Sequence, residues 1–310
     1  MELKVSPNLF YNYESAVGKH KKRFTQIFFT KMLSFNAKIS TLTVIFLLSS
    51  LLTVCSAKQP EHLTQMQLLI PLYSYPTWYN SQTYFWPEVV KAAQKVPVTA
   101  VINPNNGPGG SPPNQDYVKG LKDLSQDNIT ILGYVATNYG KRDIQEVKSD
   151  IDIYSKYYNL QGIFFDEAAS GADKLDYYQE IYNYTKAKPN LDTVVLNQGT
   201  HPDEGYLSKP AADIAIIFEN YSKEWPNYQP SPYVNNYDPK RFSGLIHTVP
   251  DVDTMKSHID KAVERNIQYI YITDDSPDSP DKDPWNSLPS YWQEEVNYIQ
   301  SLNQKNQSSK

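Results

Sequence analysis

The chain has 310 residues, of which 40% are hydrophobic and 20% are charged, a composition typical of a globular protein with one large domain or two small ones. Its formal net charge is −5, and residues 58–310 alone carry 22 basic and 32 acidic side chains, a net charge of −10. Because nucleic acids bind basic surfaces, we expect no nucleic-acid partner; an acidic surface better accommodates a neutral or cationic polymer. With Cys55 as its only cysteine, the chain cannot form an intrachain disulfide.

The N-terminal segment has the order of a secretory signal peptide. Basic residues are frequent in residues 19–38, an uncharged stretch covers residues 39–57, and Cys55-Ser56-Ala57 offers a cleavage site. We therefore expect a secreted or extracellular protein with a signal peptide at residues 32–57. Without cleavage, residues 39–57 are just long enough to anchor the chain in a membrane, which is the one membrane contact that we expect.

Two shorter segments flank this signal. Residues 1–31 precede Met32, which would begin a signal of ordinary length, so they form an N-terminal extension or result from a misassigned start. Residues 58–65 form a linker to the main domain. Sequons for N-glycosylation, as expected of an exported glycoprotein, are present at Asn128, Asn183, Asn220 and Asn306.

Apolar runs in the remainder of the chain predict eight β-strands. Each run is nearly continuous, as in parallel strands that are buried on both faces. In chain order the predicted strands cover residues 68–75, 98–103, 129–136, 161–166, 193–197, 213–219, 244–248 and 268–274.

Amphipathic segments alternate with these strands, and they predict helices at residues 86–94, 117–124, 144–158, 175–188, 252–265 and 291–302. The connections after the fifth and sixth strands are rich in proline and asparagine and lack a helical period. Eight parallel units in about 240 residues predict an α/β fold, a (β/α)8 TIM barrel that forms a single domain over residues 66–302, with a polar tail at 303–310. An open doubly wound sheet is the alternative, although it usually carries a glycine-rich turn after its first strand, where this chain has Pro76-Thr77-Trp78.

Polar side chains follow the predicted strands at their C-terminal ends, which meet at one mouth of a barrel. They are Tyr73, Tyr75, Asn103, Tyr134, Asp166, Glu167, Asn197, Gln198, Glu219, His247, Asp274 and Asp275. The set contains no His or Cys cluster with metal-ligand spacing, and the chain lacks a Gly-X-Ser-X-Gly motif. We therefore expect no metal, no cofactor and no serine nucleophile.

Two carboxylates across a groove suit glycoside hydrolysis, in which one acid protonates the leaving oxygen and the other attacks or activates water. Asp166 and Glu219 end the fourth and sixth strands, so we expect Asp166 as nucleophile or stabilising carboxylate and Glu219 as acid/base. Glu167 reaches the same mouth only if the strand has already turned. It is then an alternative acid or a partner that raises a neighbour's pKa, and a salt bridge to a loop is the other interpretation.

Substrate contacts are expected from the remaining tips, namely Tyr73, Tyr75, Asn103, Tyr134, Asn197, His247 and Asp274. For His247 a purely structural role is an equal alternative. The separation of the two carboxyls would decide the stereochemistry, with about 5–5.5 Å predicting retention and about 6.5–9.5 Å predicting inversion.

Four segments carry a resemblance to a known family: LIPLY at residues 69–73, VINPNNGPG at 101–109, LGYV at 132–135 and GIFFDE at 162–167. Through them, residues 66–302 resemble the spherulin-4-like (spherulation-specific) family, whose fungal members form glycoside hydrolase family 135. The resemblance implies a (β/α)8 fold and, for characterised fungal members, endo-hydrolysis of α-1,4-linked N-acetylgalactosamine in galactosaminogalactan. It places the family's acidic pair on Asp166 and Glu167 and its later glutamate on Glu219.

Two functions are therefore considered. The first is an exported, monomeric endo-glycosidase whose partner is a polysaccharide or oligosaccharide substrate. The second is a non-catalytic carbohydrate-binding protein, or a structural protein of a cell wall or spore coat, on the same barrel. Only the first requires Asp166 and Glu219 to be poised together.

Overall fold

The computed structural model describes residues 65–126 and 128–308. The expected N-terminal extension, the signal or anchor segment and residues 58–64 of the expected linker lie outside the described residues. Within the described residues, no helix combines the length and the apolar character that crossing a bilayer requires.

In the described part of the chain, eight parallel strands form a closed barrel. Neighbouring strands pair in chain order, and the last strand closes the ring on the first through the pairs Gln67–Tyr269 and Leu68–Ile270. The strands are β1 (Gln67–Leu72), β2 (Val98–Ile102), β3 (Ile129–Ala136), β4 (Gly162–Asp166), β5 (Thr193–Asn197), β6 (Ile214–Tyr221), β7 (Phe242–His247) and β8 (Tyr269–Ile272). The predicted (β/α)8 barrel is confirmed, and the closed ring excludes an open doubly wound sheet.

Helices cover the outside of this barrel. They are α1 (Trp86–Ala93), α2 (Gln115–Leu124), α3 (Ile144–Tyr157), α4 (Leu175–Lys186), α5 (Gly205–Ser208), α6 (Val252–Glu264) and α7 (Trp292–Ser308). The connection after β5 contains only the single turn of α5, and the connection after β6 contains three short 3₁₀ turns. The prediction that these two connections lack long helices is therefore confirmed.

The C-terminal helix is longer than the sequence pattern predicts. It continues to Ser308, and Asn303 within it is buried, where its side chain accepts a hydrogen bond from the Met66 backbone N–H at 2.8 Å and donates one to the Met66 carbonyl at 2.9 Å. Residues 303–308 are thus part of α7 rather than a polar tail. The sequence pattern missed this last part of the helix because its buried side chain, Asn303, is polar, so the periodic apolar residues end at Leu302.

Burial explains why these sequences form these elements. All five residues of β2 are buried, because its inner face fills the barrel and its outer face contacts helices. On α6 the buried residues are Met255, His258, Ile259 and Ala262, which recur at the spacing of a helical stripe. Side-chain caps at the starts of α2, α3 and α6 are supplied by Asn114, Asp143 and Asp251.

The pairing of β1 with β8 ends at Leu68 and Ile270, and beyond it the two strands hydrogen-bond to other segments. The backbone N–H of Tyr73 donates to the Trp285 carbonyl at 3.3 Å, and the backbone N–H of Ile272 donates to buried Glu295 at 3.1 Å. The loop after β8 is therefore fixed at the mouth of the barrel, which places Trp285 beside the C-terminal strand ends.

A glycine permits the close approach of β4 to β5. A Cβ atom on Gly162 would overlap the Thr193 carbonyl oxygen and lie 2.9 Å from a methyl group of Leu132. Because backbone atoms of the paired strand cannot move aside, we expect Gly162→Ala to lower the free energy of unfolding by about 3 kcal/mol. Denaturation followed by tryptophan fluorescence measures this loss.

Gly244→Ala is the matched control, since its Cβ atom would meet only ordinary contacts at 3.6 Å or more within another barrel strand. Its free energy of unfolding should stay within about 1 kcal/mol of the wild type. Equal losses in the two variants would contradict the account of the β4–β5 contact.

Candidate active site

A polar cleft of about 400 Å³ lies at the C-terminal ends of strands β4 to β7. We call it the mouth cleft, and it is lined by Tyr139, Asp166, Glu167, Asn197, Gln198, Gly199, Glu219, Asn220 and His247. Its lining contains three carboxylates and no lysine or arginine. This end of a (β/α)8 barrel is where loops and strand ends can assemble reactive side chains.

Asp166 is the last residue of β4, and two neighbours fix its carboxylate. The Tyr134 hydroxyl donates to Asp166 Oδ2 at 2.7 Å, and Asn197 Nδ2 donates to Asp166 Oδ1 at 2.7 Å. Tyr134 is on β3 and Asn197 on β5, so both flanking strands hold the carboxylate. Both oxygens are thereby oriented at the floor of the cleft.

Asn197 also joins the two predicted catalytic acids. Its Nδ2 atom donates to Glu219 Oε2 at 2.6 Å in addition to Asp166 Oδ1. A primary amide carries two N–H donors, so one nitrogen can serve both carboxyls. The structure therefore brings Asp166 and Glu219 together in one cleft, as their positions at the ends of alternate strands predict.

Glu219 reaches the cleft at an irregularity of β6. The register with β7 shifts between Ile216 and Phe218, and such bulges bend a strand and redirect the side chains that follow. The backbone N–H of Glu219 donates to the carbonyl of Gly199, which fixes the strand end against the loop after β5.

The environment of Glu219 favours its protonated form. Burial is the main cause, and the nearby negative charge of Asp166 adds to it, so the pKa of Glu219 is raised to about 7. Hydrogen bonds from Asn197 and from the indole of Trp285 lower the pKa but do not cancel these effects. Near neutral pH this carboxyl can therefore exist both as an acid and as a base.

Glu167 lies beside Asp166 on the same cleft because the chain has already left the strand. Its φ is +49°, in the left-handed region, whereas β4 ends at Asp166. Both adjacent acids line the cleft, which the strict alternation of a strand would forbid. Unlike Asp166, Glu167 is exposed to solvent.

Two further predicted residues lie close to the acids. The ring of Tyr73 packs edge-to-face on Tyr134 with centroids 5.6 Å apart, and burial together with the charge of Asp166 raises its pKa. His247 lines the cleft and packs edge-to-face on Tyr221, and burial lowers its pKa. Tyr73 thus supports Tyr134, whereas His247 contributes to the cleft surface.

Five of the seven predicted substrate contacts do not line the mouth cleft: Tyr73 and Tyr134, which lie beside the acids, and Tyr75, Asn103 and Asp274, which lie farther from them. The Tyr75 hydroxyl donates to Asp116 at 2.6 Å, and the Asn103 side chain accepts from the Gly107 backbone at 3.2 Å. Asp274 accepts hydrogen bonds from the backbone and hydroxyl of Ser290. These contacts hold loops, so the geometry gives no support to a substrate contact by these three side chains.

Comparison with known proteins decides the family. The model of the family described as "Spherulation-specific family 4" matches residues 67–299. The chain belongs to this family. Spherulin-4 of Physarum polycephalum is 34% identical to it over 249 residues, which cover 77% of this chain and 71% of that protein. The resemblance expected from the four sequence segments is confirmed.

Solved structures extend the comparison. Sph3 of Aspergillus clavatus, solved in complex with GalNAc, is 29% identical and matches with a TM-score of 0.66 over 76% of this chain and 98% of its own. Alpha-L-fucosidase isoenzyme 2 from Paenibacillus thiaminolyticus is 10% identical and matches with a TM-score of 0.51 over 79% of this chain and 50% of its own. At that identity the fucosidase shares the fold alone.

The sequence did not single out several residues of the cleft in this spherulation-specific family 4 protein. Tyr139 and Gly199 line it from the loops after β3 and β5, and Asn220 lines it from within β6. Trp285 reaches Glu219 from the loop after β8. Loop residues follow no periodic hydrophobic pattern, so the sequence could not place these side chains in the cleft. The many aromatic residues near strand ends were the one feature that indicated an aromatic contribution. Within the described residues, no group of three or more His, Cys, Asp or Glu side chains is arranged to hold a metal ion.

The raised pKa of Glu219 is directly testable. We expect the carboxyl of Glu219 to titrate with a pKa of about 7 in ¹³C-NMR spectra, with the signal assigned through Glu219→Gln. Asp166→Asn should lower this pKa because the like charge is removed, and Asn197→Ala should raise it because a bond to the charged form is lost.

Glu167→Gln is the control, since Glu167 is not among the groups that shift the pKa of Glu219. A wild-type pKa near 4.5, or one unchanged by Asp166→Asn, would contradict the electrostatic coupling of the two acids.

Proposed function

We propose that this protein is a glycoside hydrolase that cleaves an α-1,4-linked amino-sugar polymer of the N-acetylgalactosamine or galactosamine type. The observation that carries the proposal is the contact of one amide nitrogen, Asn197 Nδ2, with both Asp166 and Glu219 in an open cleft. Two carboxyls this close, one of them protonated near neutral pH, can divide the roles that cleavage of a glycosidic bond requires.

Each carboxyl has a defined role in the proposed reaction. Glu219 donates its proton to the glycosidic oxygen as the bond from that oxygen to the anomeric carbon breaks. Asp166, oriented by Tyr134 and Asn197, attacks the anomeric carbon and forms a glycosyl ester. Water then attacks the anomeric carbon and gives a proton to Glu219, while the bond from that carbon to the Asp166 oxygen breaks, which frees Asp166 and restores the acid.

The separation of the two carboxyls supports retention of anomeric configuration. Their nearest oxygens bond the same nitrogen, at 2.7 Å for Asp166 and 2.6 Å for Glu219. They therefore lie closer together than the separation of about 6.5 Å at which the inverting geometry begins. An inverting enzyme places a water molecule between base and sugar, so carboxyl oxygens this close favour the retaining geometry.

Glu167 is assigned to substrate binding. It is exposed on the cleft, where its carboxylate can accept hydrogen bonds from sugar hydroxyls or from an amino group. Burial and Asp166 raise the pKa of Glu219 and Glu167 does not, which argues against Glu167 as the partner that raises this pKa. Glu219 is assigned as the acid because its own pKa is raised to about 7. Exchange of these two roles is the alternative that the variants below distinguish.

Two observations support the class of substrate. Sph3, the relative solved with GalNAc, shares the fold along almost its whole length. The mouth cleft is polar and acidic, with no basic side chain in its lining, which suits a neutral or cationic sugar. The proposal includes export by residues 32–57, because an enzyme that cleaves a cell-surface polymer must reach it outside the membrane.

A non-catalytic binding or structural protein is the second candidate. The aromatic and polar mouth of the barrel would serve such a role without turnover, and Spherulin-4, at 34% identity, is compatible with either function. The raised pKa of Glu219 favours catalysis, because carboxyls whose pKa is raised by burial and a neighbouring acid are concentrated at active sites.

Substitution of the acids tests this choice. With an α-1,4-linked N-acetylgalactosamine oligosaccharide, Asp166→Asn and Glu219→Gln should each lower kcat by about 10³-fold or more, because nucleophile or acid is lost. Glu167→Gln should mainly raise KM. Reducing ends measure turnover, and ¹H-NMR of the first-formed anomer should show retention.

Asp260→Asn, an exposed carboxylate on α6 that accepts from Tyr298, is the control and should match the wild type. Full activity in Asp166→Asn would contradict the proposed nucleophile, and a loss of kcat in Glu167→Gln with an active Glu219→Gln would exchange the roles of the two glutamates. No turnover by the wild type, together with tight binding, would favour the non-catalytic candidate.

The pH dependence follows from the same pKa. Because the acid must be protonated, kcat/KM should fall tenfold per pH unit above about pH 7. Between about pH 5 and 6 Glu219 is protonated, so its ionisation should have little effect on kcat/KM. The profile of kcat/KM against pH measures this. Loss of activity below pH 7, with a maximum well above it, would contradict the role of Glu219 as the acid.

A further inference from the structure

An aromatic side chain without a partner lies at the edge of the mouth cleft. Tyr139 lines the cleft and is 55% exposed. Its ring makes no aromatic or cation–π contact, and its hydroxyl makes no hydrogen bond, with the described residues, whereas Tyr73 and Tyr134 beside the acids are packed against each other. Exposure of a large ring costs burial free energy, so its position calls for a reason other than packing.

The backbone at Tyr139 is also strained. Its φ is +55°, and it follows Asn138 at +47° and precedes Gly140 at +69°. A left-handed conformation is unfavourable for a bulky residue and is found chiefly where the surrounding structure imposes it, often at ligand-binding sites. Glycine at position 139 would relieve this strain, yet the chain places tyrosine there.

The strained turn is fixed to the acids themselves. The backbone N–H of Tyr139 donates to the Glu167 carbonyl at 2.6 Å, and the backbone N–H of Thr137 donates to the Asp166 carbonyl at 3.0 Å. The Thr137 hydroxyl bonds both of these carbonyls. The backbone of Tyr139 is therefore held at a constant place relative to the backbone of the two acids, so its side chain projects from a fixed point at the edge of the mouth cleft.

The chemistry of sugars supplies the complementary ligand. A galacto-configured pyranose has one face that presents mainly C–H groups, since its axial 4-hydroxyl projects from the other. Such a face stacks on an aromatic ring, and aromatic contacts of this kind add to affinity beyond the area that they bury. The position beside the acids selects the sugar ring adjacent to the bond that is cleaved.

We propose that Tyr139 is a stacking platform for the sugar ring next to the cleavage point, and that its ring determines substrate affinity. This inference rests on the proposed function, because it takes a carbohydrate as the ligand of the mouth cleft. Tyr139 positions the substrate by contact with its apolar face and takes no part in proton transfer.

The test compares Tyr139→Ala, Tyr139→Phe and Tyr139→Gly in the full chain, with a short α-1,4-linked N-acetylgalactosamine oligosaccharide as the probe. Tyr139→Ala should raise KM about tenfold and leave kcat within about twofold, because stacking is lost but the acids remain. Tyr139→Phe should keep the wild-type KM, since the hydroxyl makes no bond. Tyr139→Gly should match Tyr139→Ala in KM while its melting temperature stays within about 2 °C of the wild type or rises.

Tyr79→Ala is the matched control, because Tyr79 is 62% exposed but does not line the mouth cleft, and its KM should not change. An unchanged KM in Tyr139→Ala, or a tenfold rise in Tyr139→Phe, would overturn the stacking role. If the wild type lacks turnover, calorimetry with the same oligosaccharide still decides. A tenfold weaker Kd in Tyr139→Ala would then support the platform while the hydrolase proposal fails, and no binding by the wild type would overturn both.

Discussion

The arrangement of this active site depends on one amide nitrogen. Nδ2 of Asn197 donates to carboxyl oxygens of both Asp166 and Glu219. Without this shared donor, two ionised carboxylates at this distance would repel each other. Each hydrogen bond to a charged group contributes about 1.5–3 kcal/mol, which offsets part of that repulsion. The raised pKa of Glu219, about 7, relieves more of the repulsion, because a protonated Glu219 carries no charge. The closeness of the two carboxyls thus accounts both for the hydrogen bonds around Asn197 and for the proposed acid role of Glu219.

The fold supplies this contact through three neighbouring parallel strands. Asp166 ends β4, Asn197 ends β5 and Glu219 follows the irregularity in β6, so the amide lies between the two acids by strand order alone. Gly162 allows β4 to approach β5 closely, and the loop after β8 brings Trp285 to Glu219 across the seam between β1 and β8. Gly162 therefore acts on the site from a distance, through the spacing of the strands, whereas Trp285 contacts Glu219 directly.

The parts of this arrangement that depend on burial were predictable from sequence. Apolar runs predicted the eight strands, and acids at the ends of several such runs pointed to Asp166 and Glu219, because the C-terminal ends of parallel strands meet at one mouth of a barrel. Tyr75 and Asp274 were expected at the mouth but do not line it, since β1 ends at Leu72 and β8 at Ile272, before these residues. Their side chains follow the loops instead of the strand direction.

Loop conformation was not predictable in the same way. Tyr139 and Trp285 owe their positions to backbone hydrogen bonds with distant segments, to Glu167 and Tyr73 respectively, and no local pattern encodes such contacts. The left-handed conformation of Glu167 likewise depends on its surroundings, and it decides that two adjacent acids share one cleft. The loops, which vary most easily, therefore complete a site whose centre is set by the strands.

The most direct test of the central claim is to trap the covalent intermediate. A 5-fluoro N-acetylgalactosaminyl fluoride should label the protein once, and mass spectrometry of its peptides should place the glycosyl group on Asp166. Asn197→Ala should slow this labelling strongly, because the carboxylate is no longer held. A label on Glu167 or Glu219, or inactivation of the wild type without any label on Asp166, would contradict the account.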